Sequence, residues 1–284
     1  MEFLNYAQLI IGPAGSGKST YCKIMQDHCE NIKRTIKIIN LDPAAEKFKY
    51  KCDLDIRELI NIDEVMKKKK LGPNGALIYC MEYLYDNIEF LTEYFDSKGD
   101  NYYYLIDCPG QLELYSHSDI MKKITNYLKK NGFSIVSIFC LDCTFLQEQS
   151  KFISGNVLSL ATMIQMELPH LTVMTKCDLI SKSNLYNKIE DGIEMGDLIK
   201  ELNNLMGKKM KKLNSALINF VENYSLVQFN TLNLNDENSI SAVLYNADNV
   251  LQYFESQEPK DNFFDGAERD LNGINYDDRM DEDY

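Results

Sequence analysis

The segment Gly12-Pro13-Ala14-Gly15-Ser16-Gly17-Lys18-Ser19-Thr20 leaves few architectures open to this chain. Its spacing is G-x-x-x-x-G-K-[ST], and it lies between an apolar run, Asn5–Ile11, and a segment of helical pattern, 18–28. Glycines at these places let the backbone curl until successive N–H groups face one point. A helix starting there adds the positive end of its dipole. The result is a cradle for phosphates. Lys18 reaches the terminal phosphates as a point charge, and the Ser19 hydroxyl can ligate Mg²⁺. Gly12, Pro13, Ala14, Gly15, Ser16, Gly17, Lys18, Ser19 and Thr20 are the expected contacts to a nucleotide's phosphates.

Such a cradle needs a strand before it and a helix after it, and the chain repeats that rhythm. Short apolar runs at 35–41, 102–106, 135–141, 171–175 and 224–229 read as further strands. Helical spacing occupies 56–69, 75–95, 147–167 and 239–254. Apolar strands alternating with amphipathic helices predict an α/β fold, a doubly wound and mostly parallel sheet covered on both faces. Two stretches break the rhythm. Residues 181–222 are polar, lysine-rich and helical in pattern, and read as an inserted helical region. The tail 255–284 has eleven acidic and three basic residues and the composition of a disordered segment. The expected body is therefore 1–254, followed by that tail.

Charge narrows the function further. The formal net charge is −13, of which the tail holds −8. A body that is mildly acidic, without a concentrated basic face, argues against direct nucleic-acid binding. No apolar run approaches the ~20 residues of a membrane span. The first residues lack the pattern of a secretory leader, so a cytoplasmic or nuclear location is expected. The eight cysteines form no disulfide framework, and Cys140-x-x-Cys143 has no partner pair at zinc spacing.

Two later motifs give the cradle its chemistry. Asp107-Cys108-Pro109-Gly110-Gln111 follows a strand, where an acid can hold Mg²⁺ together with Ser19. Gly110 lets the backbone approach a γ-phosphate, and Gln111 and Glu113 are candidates to orient the attacking water. Thr175-Lys176-Cys177-Asp178 follows the next-to-last strand. A carboxylate at Asp178 can accept from N1–H and the N2 amine of guanine, a pattern adenine lacks. Lys176 can lay its apolar stem along the base. Asp42, before Pro43, can contact metal-bound waters or the attacking water, or simply start a turn.

Together with Gly72-Pro73-Asn74-Gly75, Asn40-Leu41-Asp42-Pro43-Ala44, Asp107-Cys108-Pro109-Gly110-Gln111-Leu112-Glu113 and Phe152-Ile153-Ser154, these motifs make the chain resemble the GPN-loop GTPases. Asp42-Pro43-Ala44-Ala45-Glu46, Asp55-Ile56-Arg57-Glu58-Leu59, Lys211-Lys212-Leu213 and Glu258-Pro259-Lys260 resemble the third eukaryotic paralogue of that family, while Leu168-Pro169-His170 and Leu232-Asn233 lean toward the second. The resemblance implies a P-loop NTPase fold that binds GTP and GDP with Mg²⁺ and hydrolyses GTP. It implies a dimer with a paralogue or with a second copy, in which Asn74 stabilises phosphate across the interface. It also implies a role in assembling RNA polymerase II, through its subunits, and in delivering it to the nucleus, hence shuttling between compartments. Two other readings stand beside this one. One is a nucleotide-loaded assembly factor whose hydrolysis is incidental. The other is a P-loop nucleotide kinase, which would need an arginine-rich lid; the chain has only Arg34, Arg57, Arg269 and Arg279.

Overall fold

The computed structural model describes residues 5–147, 149–179 and 229–254, with short helical pieces at 212–213 and 215–216. Most of the expected insertion, 181–222, and all of the tail, 255–284, lie outside the described residues. Within them, seven strands form one parallel sheet: β1 (Asn5–Ile11), β2 (Ile36–Asn40), β3 (Leu54–Asp55), β4 (Tyr103–Asp107), β5 (Phe133–Asp142), β6 (His170–Thr175) and β7 (Phe229–Thr231). Their order is β3-β2-β4-β1-β5-β6-β7, so β1 lies at the centre between β4 and β5.

The central strand shows why both faces are covered. All seven of its residues are buried. Tyr6 and Ile10 face one way, into a cluster with Ile38, Leu105 and Val136. That cluster is covered by α1 (Lys18–Asn31) and α8 (Glu237–Leu251). Ala7, Leu9 and Ile11 face the other way, with Ile39, Ile106 and Phe139. That side is covered by α3 (Pro73–Asp86), α4 (Glu89–Lys98), α5 (Glu113–Ser116), α6 (Ile120–Lys130) and α7 (Gln149–Met166). The short α2 (Ile62–Lys69) packs on α3. Gln8 interrupts the apolar run without leaving an unpaired amide. Its Nε2 donates to the Tyr103 hydroxyl at 2.7 Å, and its Oε1 accepts from the Tyr21 hydroxyl at 2.6 Å.

Several expectations need correction. The helical run 75–95 is two helices. The chain turns at Asn87, whose Nδ2 donates back to the Tyr83 carbonyl at 2.8 Å, and α4 starts afresh at Glu89. The run 56–69 opens with a 3₁₀ turn, Ile56–Glu58, before α2. Helix α6 and the two-residue β3 were not expected from the sequence. The last strand is Phe229–Thr231, while 224–228 lie outside the described residues.

Helix α8 is fixed to the sheet by a buried ion pair. Arg34 donates to both oxygens of Asp248, with Nη2 to Oδ1 at 2.9 Å, and Asp248 is 2% exposed. The guanidinium lies over the rings of both Tyr103 and Tyr253, 4.2 and 4.1 Å from their centroids. Removing one partner of such a pair strands the other charge without water. Arg34→Ala should therefore lower unfolding free energy by about 3–5 kcal/mol, measured by denaturant titration. A loss below about 1 kcal/mol would show that Asp248 is reached by solvent.

Candidate nucleotide site

A parallel sheet gathers the carboxyl ends of its strands along one edge, and the motifs of this chain other than Gly72-Pro73-Asn74, which opens α3, lie at such ends. The phosphate loop follows β1, Asp42 follows β2, Asp107 ends β4, Asp142 ends β5, and Thr175 ends β6 with Lys176–Asp178 after it.

Local backbone requirements shape the loop. Gly12 has φ +138°, and a Cβ there would lie 2.4 Å from the Cys140 carbonyl oxygen. No side chain is tolerated at that position without moving β5. The Lys18 ammonium donates to the carbonyls of Gly12 and Pro13, both at 3.1 Å, so it is held over the loop. The Ser16 hydroxyl is buried with no hydrogen-bond partner. A cation and an orphaned donor facing one loop fit a phosphate group. From the opposite side Gly110 closes on the loop, and a Cβ there would come within 2.9 Å of Ala14 Cα and 3.0 Å of Lys18 Nζ.

Ser19, at the start of α1, donates its hydroxyl proton to Asp107 Oδ2 at 2.7 Å. This brings together the two residues expected to hold a metal. Asp107 is 3% exposed. Burial pushes its carboxyl up, while hydrogen bonds from Ser19 and Tyr50 and the charge of Lys18 pull against that rise. Among the described residues no cluster of three His, Cys, Asp or Glu side chains could hold a metal. One hydroxyl and one carboxylate suit Mg²⁺, which takes its remaining oxygens from phosphate and water.

Asp42 is half-buried and its carboxyl is raised by burial, opposed by the Ala44 amide, Lys18 and Arg57. Its Oδ1 accepts from Ala44 N at 2.9 Å, so the side chain does start a turn. Its backbone is held by Asn40, which bonds Asp42 N through Oδ1 and the Asp42 carbonyl through Nδ2. Gln111 Nε2 donates to Asn74 Oδ1 at 2.8 Å. The exposed first turn of α3, with Asn74, therefore lies against the Asp107–Gln111 segment of the same chain. Glu113 is exposed, as the first residue of α5.

The turn expected to read the base, Thr175–Asp178, is tied to the phosphate loop. Thr175 Oγ1 donates to the Ser16 carbonyl at 2.6 Å. Lys176 adopts φ +60° and its ammonium meets Asp142 Oδ2 at 2.6 Å. Burial would raise the Asp142 carboxyl, but the Lys176 hydrogen bond and the Thr144 amide outweigh it and hold the group low. Cys177 N donates to the Leu232 carbonyl at 3.3 Å, and Leu232 N to the Met174 carbonyl at 2.8 Å. The end of β7 thus closes the turn on which Asp178 sits. Two site residues went unnoticed in the sequence. Asp142 offered the same signal as Asp107, an acid ending an apolar strand; Tyr50 offered none.

A family model described as a conserved hypothetical ATP binding protein matches residues 10–253. The chain is 43% identical to GPN-loop GTPase 3 of Dictyostelium discoideum, over 90% of each chain. It is 42% identical to GPN-loop GTPase 3 of Xenopus tropicalis, over 93% of this chain and 94% of that one. A GTPase from Pyrococcus abyssi, solved in its apo form, superposes with a TM-score of 0.68. At 19% identity, over 85% of this chain and 96% of that one, it matches the fold. With these relatives and this site, the chain belongs to the GPN-loop GTPase family.

Proposed function

We propose that this protein binds GTP with Mg²⁺ and hydrolyses it to GDP and phosphate, acting as a dimer. The observation that supports this most is the hydrogen bond from Thr175 to the Ser16 carbonyl. It links the turn that reads a base to the loop that holds phosphates, so one nucleotide is gripped at both ends.

The family description names ATP and the relatives' names specify GTP. The residues favour guanine. A carboxylate at Asp178 pairs with two N–H donors of guanine, whereas adenine would set a lone pair against it. Lys176, held by Asp142, keeps its stem in place beside the base. The kinase reading loses support because both described arginines are engaged, Arg34 with Asp248 and Arg57 with Asp55.

Ser19 and Asp107 would hold Mg²⁺, which when bound offsets phosphate charge as the terminal bond breaks. Lys18 neutralises the β- and γ-phosphate oxygens. Gln111 and Glu113 orient the attacking water, and Asp42 accepts a hydrogen bond from it. Asn74 supplies an amide donor to the partner's phosphate region, and its Oδ1, which accepts from Gln111 of its own chain, orients that amide. The family resemblance supports a paralogue or a second copy as partner, and a role in RNA polymerase II assembly and nuclear delivery.

Asp178→Ala should weaken GDP binding about 100-fold and leave ADP binding unchanged, measured by calorimetry. Equal ADP and GDP affinities in the unaltered protein would remove the guanine reading. Asn74→Ala should slow hydrolysis about 100-fold at unchanged GDP affinity. Turnover per chain in the unaltered protein should rise with protein concentration until the dimer saturates. A rate independent of concentration and of Asn74 would contradict catalysis across an interface.

A further inference from the structure

Tyr50 belongs to none of the motifs above, yet its hydroxyl donates to Asp107 Oδ2 at 2.9 Å. That oxygen is the one that also accepts from Ser19. The phenol is 6% exposed, and its O–H is a donor in its ordinary neutral form. Two donors on Oδ2 fix the carboxylate's rotation and leave Oδ1 free to face a cation or its water shell.

Tyr50 is itself tightly held. Immediately after it, Gln26 of α1 bonds both backbone groups of Lys51, donating to the carbonyl at 3.2 Å and accepting from the amide at 2.9 Å. The ring stacks on Phe48, with centroids 5.1 Å apart. Phe48 in turn lies under the Arg57 guanidinium at 4.4 Å. Arg57 donates to Asp55 Oδ2 and to the Ala45 carbonyl, and Asp55 Oδ1 accepts from Asn40, the residue that holds Asp42. An unbroken set of contacts therefore runs from Asp107 through Tyr50, Phe48, Arg57, Asp55 and Asn40 to Asp42.

We infer that Tyr50 is a positioning residue for the metal. It orients Asp107 toward Mg²⁺ and couples the metal's arrival to the 42–50 segment that carries Asp42. The inference rests on the proposed Mg²⁺ site, but makes a separate demand. Tyr50 acts only through Asp107, so its hydroxyl should matter to nucleotide binding only when the metal is present.

The test is the affinity of a fluorescent GDP for the full chain, with Mg²⁺ and with EDTA, in the unaltered protein and in Tyr50→Phe. The expected result is that the variant binds about tenfold more weakly with Mg²⁺ and equally well in EDTA. Its thermal midpoint without nucleotide should move little, because only a hydroxyl is lost. Equal weakening in both conditions would overturn the inference, since Tyr50 would then serve the fold alone. So would unchanged or tighter binding with Mg²⁺. If the unaltered protein gains nothing from Mg²⁺, the metal reading itself fails and takes this one with it. Phe48→Leu, which keeps the phenol but removes its stack, should show the same Mg²⁺-specific loss to a smaller extent. It decides the matter if Tyr50→Phe does not fold.

Discussion

The hydrogen bond from Ser19 to Asp107 joins the two halves of the site. Ser19 belongs to the helix that leaves the phosphate loop, and Asp107 ends the neighbouring strand β4. Neither side chain can serve a metal unless β1 and β4 are adjacent and in register. The parallel pairing of Ile10 with Asp107 supplies that register. A shift of one residue along β4 would turn Asp107 to the other face of the sheet and bring Ile106 to the loop. The sheet order and the metal chemistry are thus one requirement.

The same edge of the sheet carries the turn proposed to read the base. Thr175 and Asp142 are register partners on β6 and β5. Both reach beyond their strands, Thr175 to the phosphate loop and Asp142 to Lys176 and the Thr144 amide. Buried polar groups cost stability unless they are paired. Here most are paired with one another across strand ends, which preorganises the edge before a nucleotide arrives. The Ser16 hydroxyl of the phosphate loop is buried without a partner.

Much of this was legible in the sequence because a fully buried parallel strand is a short apolar run, and a polar residue at its end stands out. Asp107, Asp42 and Thr175–Asp178 all announce themselves in this way. The break at Asn87 did not, because neither Gly nor Pro marks it and both flanking helices are apolar at similar spacing. Strand β3 has two residues, too few to show a period. Helix α6 carries a legible signal that the strand-and-helix reading passed over, amphipathic spacing at Ile120, Met121, Ile124 and Leu128. Tyr50 was invisible for another reason. Its position comes from contacts with α1 and with Arg57, and nothing local to residues 42–50 encodes them.

The account stands or falls on guanine-specific hydrolysis. The direct measurement is release of inorganic phosphate from GTP and from ATP, at equal concentration, by the purified chain with and without Mg²⁺. The prediction is stoichiometric GDP and phosphate from GTP with Mg²⁺, little phosphate from ATP, and none from either with EDTA. Phosphate released from ATP as readily as from GTP, or a terminal phosphate transferred to an added nucleoside monophosphate, would contradict it.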